Sequence, residues 1–142
     1  MCPMGQGRTA PHDGGRLLEL GVAPVPSALP ELRHALGELD LPPEMLEEAR
    51  LLLTELVSNC IRHAGLRLTD LILVRATWDG TRLRVEVRDG GPSGIRAPVA
   101  GSIRPPPGAE SGWGLYLVDR LATRWGRGKG AHWFELGPGP QA

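Results

Sequence analysis

The sequence predicts an α/β protein: a two-layer α/β sandwich in which a mixed, mostly antiparallel sheet is covered by helices on one face. Three observations point there. Met45, Ala49, Leu52, Leu53, Leu56, Cys60 and Ala64 form an apolar stripe that repeats with the roughly 100° turn of an α-helix. Leu71 to Trp78 and Arg82 to Asp89, the second alternating cleanly between apolar and polar residues, flank Asp79-Gly80 as strands joined by a tight turn do. A second apolar helical face, Leu117, Val118, Leu121 and Ala122, is followed by the strand-like Ala131 to Leu136. Helices and strands in this order ask for one sheet with helices laid on it.

A chain of 142 residues suits one domain with a real core and leaves no room for a second. Sixteen basic residues balance sixteen acidic ones, so no broad nucleic-acid or membrane footprint is expected. Cys2 and Cys60 are the only cysteines and stand far apart, which argues against a disulfide framework or a zinc site. A reducing, cytoplasmic setting is the expectation. No apolar run is long enough to span a membrane, and the first fifteen residues lack the apolar core of a signal peptide.

Along the chain, residues 1–15 mix Gly, Pro, His and charge without period and are expected to be disordered. Leu17 to Leu20 reads as a short strand. Ser27 is a candidate N-cap for a helix with Leu29, Leu32, Ala35 and Leu36 on one side, ending near Asp40. Pro42-Pro43 opens the next helix, which Gly65 closes. Pairing outward from Asp79-Gly80 sets Ala76 opposite Leu83, Val74 opposite Val85 and Ile72 opposite Val87. Asp89 falls in phase with the apolar residues of its strand, an inward carboxylate that needs a hydrogen-bonding partner. Pro92 to Glu110, rich in Gly and Pro and longer than most connections, reads as a lid or a disordered loop. The folded domain is placed at 16–137 and a tail at 138–142.

Two places suggest chemistry. Glu55 and Asn59 interrupt the apolar helix four residues apart, on one face at the border of the stripe. A carboxylate and an amide oxygen so placed suit a hydrated hard cation. Gly112 and Gly114 precede the last helix, where bare backbone N–H groups favour an anion. His63 reads as a packed or lid-contacting residue over the stripe, and Cys60 as a core residue within it. His132 alternates along the last strand and carries no signal, and Arg82, Arg84 and Arg88 read as a solvated sheet face.

Glu55 through Ala64 meet the pattern E-L-V-x-N-x-x-x-H-A; Asp89-Gly90-Gly91 follows a strand, and Gly112-Trp113-Gly114-Leu115 precedes a helix. In this the chain, over roughly residues 16 to 136, resembles the GHKL superfamily of ATPases and kinases (the Bergerat fold). It is most similar to the small bacterial branch of anti-sigma-factor serine kinases. The resemblance implies ATP and Mg²⁺ as cofactors. It makes Asn59 the metal ligand, Glu55 the catalytic base, Asp89 the acceptor for the adenine amino group and Gly91 the close approach to the base. Gly112, Gly114 and Leu115 become phosphate-side residues and Pro92 to Glu110 the ATP lid. Ser93 and Trp113 depart from the usual glycine and arginine of those motifs.

The function so implied is an ATP-dependent serine protein kinase of the anti-sigma type. Its partners would be a sigma factor, an antagonist protein that is phosphorylated on serine, or both, with a homodimer as a further option and no direct contact with nucleic acid or membrane. The rival reading is a nucleotide-gated partner-binding module without phosphotransfer; a third is a scaffold that binds no nucleotide.

Overall fold

The computed structural model describes residues 8–12, 15–63, 67, 69–89, 114–128 and 131–138. The strands are β1 (Arg8–His12), β2 (Gly15–Val22), β3 (Ile72–Trp78), β4 (Leu83–Asp89), β5 (Arg124–Gly128) and β6 (Ala131–Leu136). The helices are α1 (Leu29–Leu36), α2 (Pro43–His63) and α3 (Gly114–Leu121). One six-stranded sheet runs in the order β1-β2-β3-β4-β6-β5, and the helices pack on one face of it. The two-layer α/β architecture is the one expected.

The sheet is not mixed. Every neighbouring pair of described strands is antiparallel. The cause lies between β2 and β3, where the connection carries two helices rather than one. The chain re-enters the sheet at the end it left, pairing Val22 with Ile72. A single crossover helix would have delivered a parallel neighbour.

The core is where periodicity placed it. Ala49, Leu52, Leu53, Leu56, Val57 and Cys60 of α2 are all buried, none more than 3% exposed. They join Val74, Ala76, Val85, Val87 and Phe134 from the strands in one cluster. Truncating a side chain such as Leu52 to alanine costs about 2–5 kcal/mol in a core of this kind. Val118 of α3 is fully buried in the same cluster, whereas Leu121 stays 38% exposed at the helix end.

Three local expectations change, and one further strand emerges. Part of the stretch taken as disordered, Arg8–His12, is strand β1 on the edge of the sheet, with His12 paired to Gly15. The two residues between are Asp13-Gly14, a dipeptide that favours a tight hairpin, and Pro11 suits an edge position because it has no N–H to offer. Residues 1–7 of that stretch, most of the tail at 138–142 and the helix stop at Gly65 lie outside the described residues.

Ser27 does not cap α1. It sits inside a single 3₁₀ turn, Pro26–Ala28, and Ala28 enters the helix without a side-chain cap. The Ala28 N–H donates instead to the carbonyl of Val25 at 3.0 Å.

The β3–β4 register is displaced by two residues. Val74 faces Val87, Ala76 faces Val85 and Trp78 faces Leu83. The Asp79 carboxylate accepts hydrogen bonds from the N–H groups of Thr81 (2.8 Å) and Arg82 (2.6 Å), which moves the turn one residue along, with Gly80 at φ +95°. A shift of two keeps each side chain on its face, so the inward set is unchanged.

Strand β5 went unread because Arg124-Trp125-Gly126-Arg127-Gly128 has no alternating pattern. It pairs with β6 through Gly128 and Ala131, leaving a two-residue connection. On the uncovered side of the sheet the Trp133 ring lies over Gly126, and Arg84 stacks above that ring at 4.1 Å. Glu135, only 8% exposed there, is held by Arg84 at 3.0 Å and Arg124 at 3.8 Å.

Candidate functional site

The site is built at the C-terminal half of α2 and the far end of β4. Leu52, Leu53, Leu56 and Cys60 anchor the inner side of α2, and this orientation leaves Glu55 and Asn59 half-buried at the helix border. Asn59 Oδ1 accepts a hydrogen bond from the Arg62 guanidinium at 3.1 Å, so the oxygen is presented and oriented within its own helix.

Asp89 ends β4 on the side that carries Leu83, Val85 and Val87, all fully buried under the helices. The corrected register sets it opposite Ile72, whose side chain is likewise buried. Its Oδ1 is shielded from solvent. Asp89 also faces α2: burial pushes the Cys60 thiol up to about 12, and the Asp89 charge adds to the push. Since Cys60 follows Asn59 directly, folding brings the metal-ligand candidate and the base-reading candidate to neighbouring positions, thirty residues apart in sequence.

One residue in this neighbourhood was passed over by sequence reasoning. His132 on β6 lies opposite Val87 of β4 and Arg127 of β5. Burial lowers its imidazole from the ordinary value, Arg127 lowers it further, and Asp89 acts in the opposite sense. A histidine in strict alternation on a strand looks like any core-facing position, and only the strand order shows that Asp89 is beside it.

Gly114 is the first residue of α3, a helix that packs against α2, and Leu115 follows in its first turn. Gly91, Gly112 and the lid expected at Pro92 to Glu110 lie outside the described residues. A groove of about 590 Å³ lies elsewhere, on the open side of the sheet, lined by Glu19, Gly21, Leu73, Arg75, Glu86 and Arg88. None of the site residues lines it.

The sequence model of the histidine kinase-like ATPase domain family matches residues 22–130, well over half of the chain. The chain belongs to that family. No curated protein matches it. As a histidine kinase-like ATPase domain of the GHKL type, the protein is an ATP-binding domain. The match takes in Glu55, Asn59, Asp89, Gly91, Gly112, Gly114 and Leu115, and stops before β6 and His132.

The donor set fits the cofactors of such domains. Among the described residues no group of three His, Cys, Asp or Glu forms a cage for a metal ion. A Mg²⁺ ion needs none, because it keeps several waters and takes the rest of its oxygens from one or two side chains and substrate phosphates. Asn59 Oδ1 and the Glu55 carboxylate are donors of that type. Among the described residues no helix is long and apolar enough to cross a membrane.

Proposed function

We propose that the protein is a serine protein kinase of the anti-sigma-factor type, which binds Mg²⁺ and ATP and phosphorylates a serine on an antagonist protein. The observation that supports this reading is the placement of Glu55 one helical turn from Asn59 at the half-buried edge of α2, with Asp89 brought alongside through Cys60. Bound Mg²⁺–ATP supplies the phosphoryl group and offsets its charge. Asn59 contributes an oxygen to the metal, and Asp89 accepts a hydrogen bond from the adenine amino group. Glu55 takes the proton of the serine hydroxyl as its oxygen forms a bond to the γ-phosphorus, and the bond from that phosphorus to the β-phosphate bridging oxygen breaks to release ADP. A sigma factor is the second partner of this reading.

The rival is a nucleotide-gated binding module, and one contact favours it. Asn59 Oδ1 already accepts from Arg62, so a metal ion on its second lone pair brings a divalent charge beside the guanidinium, and the repulsion couples nucleotide binding to the position of Arg62 on the surface of α2.

Labelled ATP and the antagonist protein separate the two. Wild type labels one serine, and Glu55→Ala binds ATP nearly as well but labels at least ~100-fold more slowly, as loss of a general base does. Equal labelling by both removes Glu55 from the mechanism. Absence of labelling by wild type, with ATP still altering partner affinity, favours the module.

A further inference from the structure

We infer that Asp119 and Trp125 form a strut that holds α3 in place on the sheet, and that through this helix both act as positioning residues for the triphosphate. Neither touches the nucleotide. The inference rests on the reading of Gly114, at the start of α3, as a phosphate-side residue.

The starting observation is one hydrogen bond: Nε1 of Trp125 on β5 donates to Asp119 Oδ1 on α3 at 2.9 Å. Trp125 stands opposite Phe134, which is fully buried, and its own partly buried ring packs against the core. Opposed residues share a face, so the indole rises on the helix side of the sheet. Its single N–H needs an acceptor there, and a carboxylate is the strongest that a side chain offers.

Nothing within the helix asks for an aspartate at this place. Aspartate is a poor helix former, and in the last turn its charge opposes the carbonyl end of the helix dipole. Arg120, next to it, is the residue that suits that end. The bond to Trp125 offsets both disadvantages and accounts for Asp119.

The strut belongs to a set of fixings at the C-terminal end of α3. Val118 is fully buried in the core. Beyond the helix the Thr123 N–H donates to the Glu135 carbonyl and the Thr123 hydroxyl to the Gly137 carbonyl, both at 2.8 Å. Val118 and Asp119 stand about 100° apart around the helix, so one sets its height over the sheet and the other its swing along it. Gly114 opens the helix about 7.5 Å from Asp119 along the axis, at a rise of about 1.5 Å per residue. A short rod held in both directions at one end keeps its other end aimed. Backbone N–H groups stabilise phosphate charge best when they are already in place, and small misplacements there weaken them.

The test separates the N–H, the acceptor and the ring. Trp125→Phe keeps an aromatic ring and deletes the donor, Asp119→Ala deletes the acceptor, and Asp119→Asn keeps an acceptor oxygen. ATP is titrated by calorimetry, and adenosine, which lacks the phosphates, by ligand-observed NMR. Trp125→Phe and Asp119→Ala are each expected to weaken ATP by about three- to tenfold and to leave adenosine within about twofold of wild type. The double variant is expected to bind ATP no more weakly than the singles, because both remove the same bond. Asp119→Asn is expected to stay within about twofold of wild type for ATP. A merely structural role lowers melting temperatures and leaves the ATP-to-adenosine ratio where it was, so an unchanged ratio in the folded variants overturns the inference. Additive losses in the double variant overturn it as well. Should Trp125→Phe not fold, Asp119→Ala and Asp119→Asn decide alone, since Asp119 is exposed. Wild type that binds ATP no more tightly than adenosine overturns the phosphate-side assignment on which the strut's role rests.

Discussion

The Asp89 charge acts on Cys60 where α2 packs on β4: the thiol, 3% exposed, is pushed up to about 12 by its burial and then by the Asp89 charge. This coupling ties the helix that carries Glu55 and Asn59 to the strand that ends in Asp89. It also makes Cys60 a reporter for the carboxylate.

Asp89→Asn is therefore expected to have two effects. An amide presents its NH₂ to the adenine amino group and leaves that donor unpaired, so ATP binding is lost in calorimetry. The neutral side chain also removes the charge that disfavours the thiolate, so Cys60 reacts faster with a thiol reagent in a chain carrying Cys2→Ser. Wild-type ATP affinity in the folded variant removes Asp89 from the base.

Asn59→Ala removes an oxygen donor while leaving the base contacts in place. The expected loss is confined to the Mg²⁺-dependent part of nucleotide affinity, read as titrations with and without metal. A variant that matches wild type at every Mg²⁺ concentration places the metal elsewhere.

His132 makes stability depend on pH in a defined direction. Its folded-state value is lowered below 6.5, while the unfolded chain keeps the ordinary value. The unfolded chain thus binds the proton first as pH falls. The contribution is complete above about pH 7.5, declines as pH drops through the ordinary value toward the lowered one, and is level below that. Melting temperatures recorded between about pH 7.5 and pH 5 are expected to fall more steeply for wild type than for His132→Leu. Parallel profiles refute the shift.

Gly126→Ala tests the packing of β5. A Cβ there lies 2.5 Å from Nε1 of Trp133 and 2.7 Å from the adjoining ring carbon, so the indole and the Arg84 guanidinium above it must move. The expected cost is about 1–3 kcal/mol in urea denaturation. Gly128→Ala is the matched control, since a Cβ at that position meets nothing within 4 Å, and it is expected to change stability by no more than about 0.5 kcal/mol.

Read as sequence alone, the chain already disclosed the start of α2, its buried stripe and the border position of Glu55 and Asn59, because a helix repeats its faces locally and burial follows the repeat. It also disclosed which residues of β3 and β4 point inward, since alternation survives a register error of two. Strands β1 and β5 were not legible, because short edge strands with glycine or proline owe their form to the neighbour they pair with rather than to any pattern of their own. The antiparallel sheet and the exact pairing of β3 with β4 were decided by where the two-helix connection and the Asp79 hydrogen bonds returned the chain. Tertiary structure alone decided that Cys60, Asp89 and His132 share one corner: residues from three elements distant in sequence become neighbours only through strand order, and the burial that comes with it is what chiefly raises the Cys60 thiol and lowers the His132 imidazole.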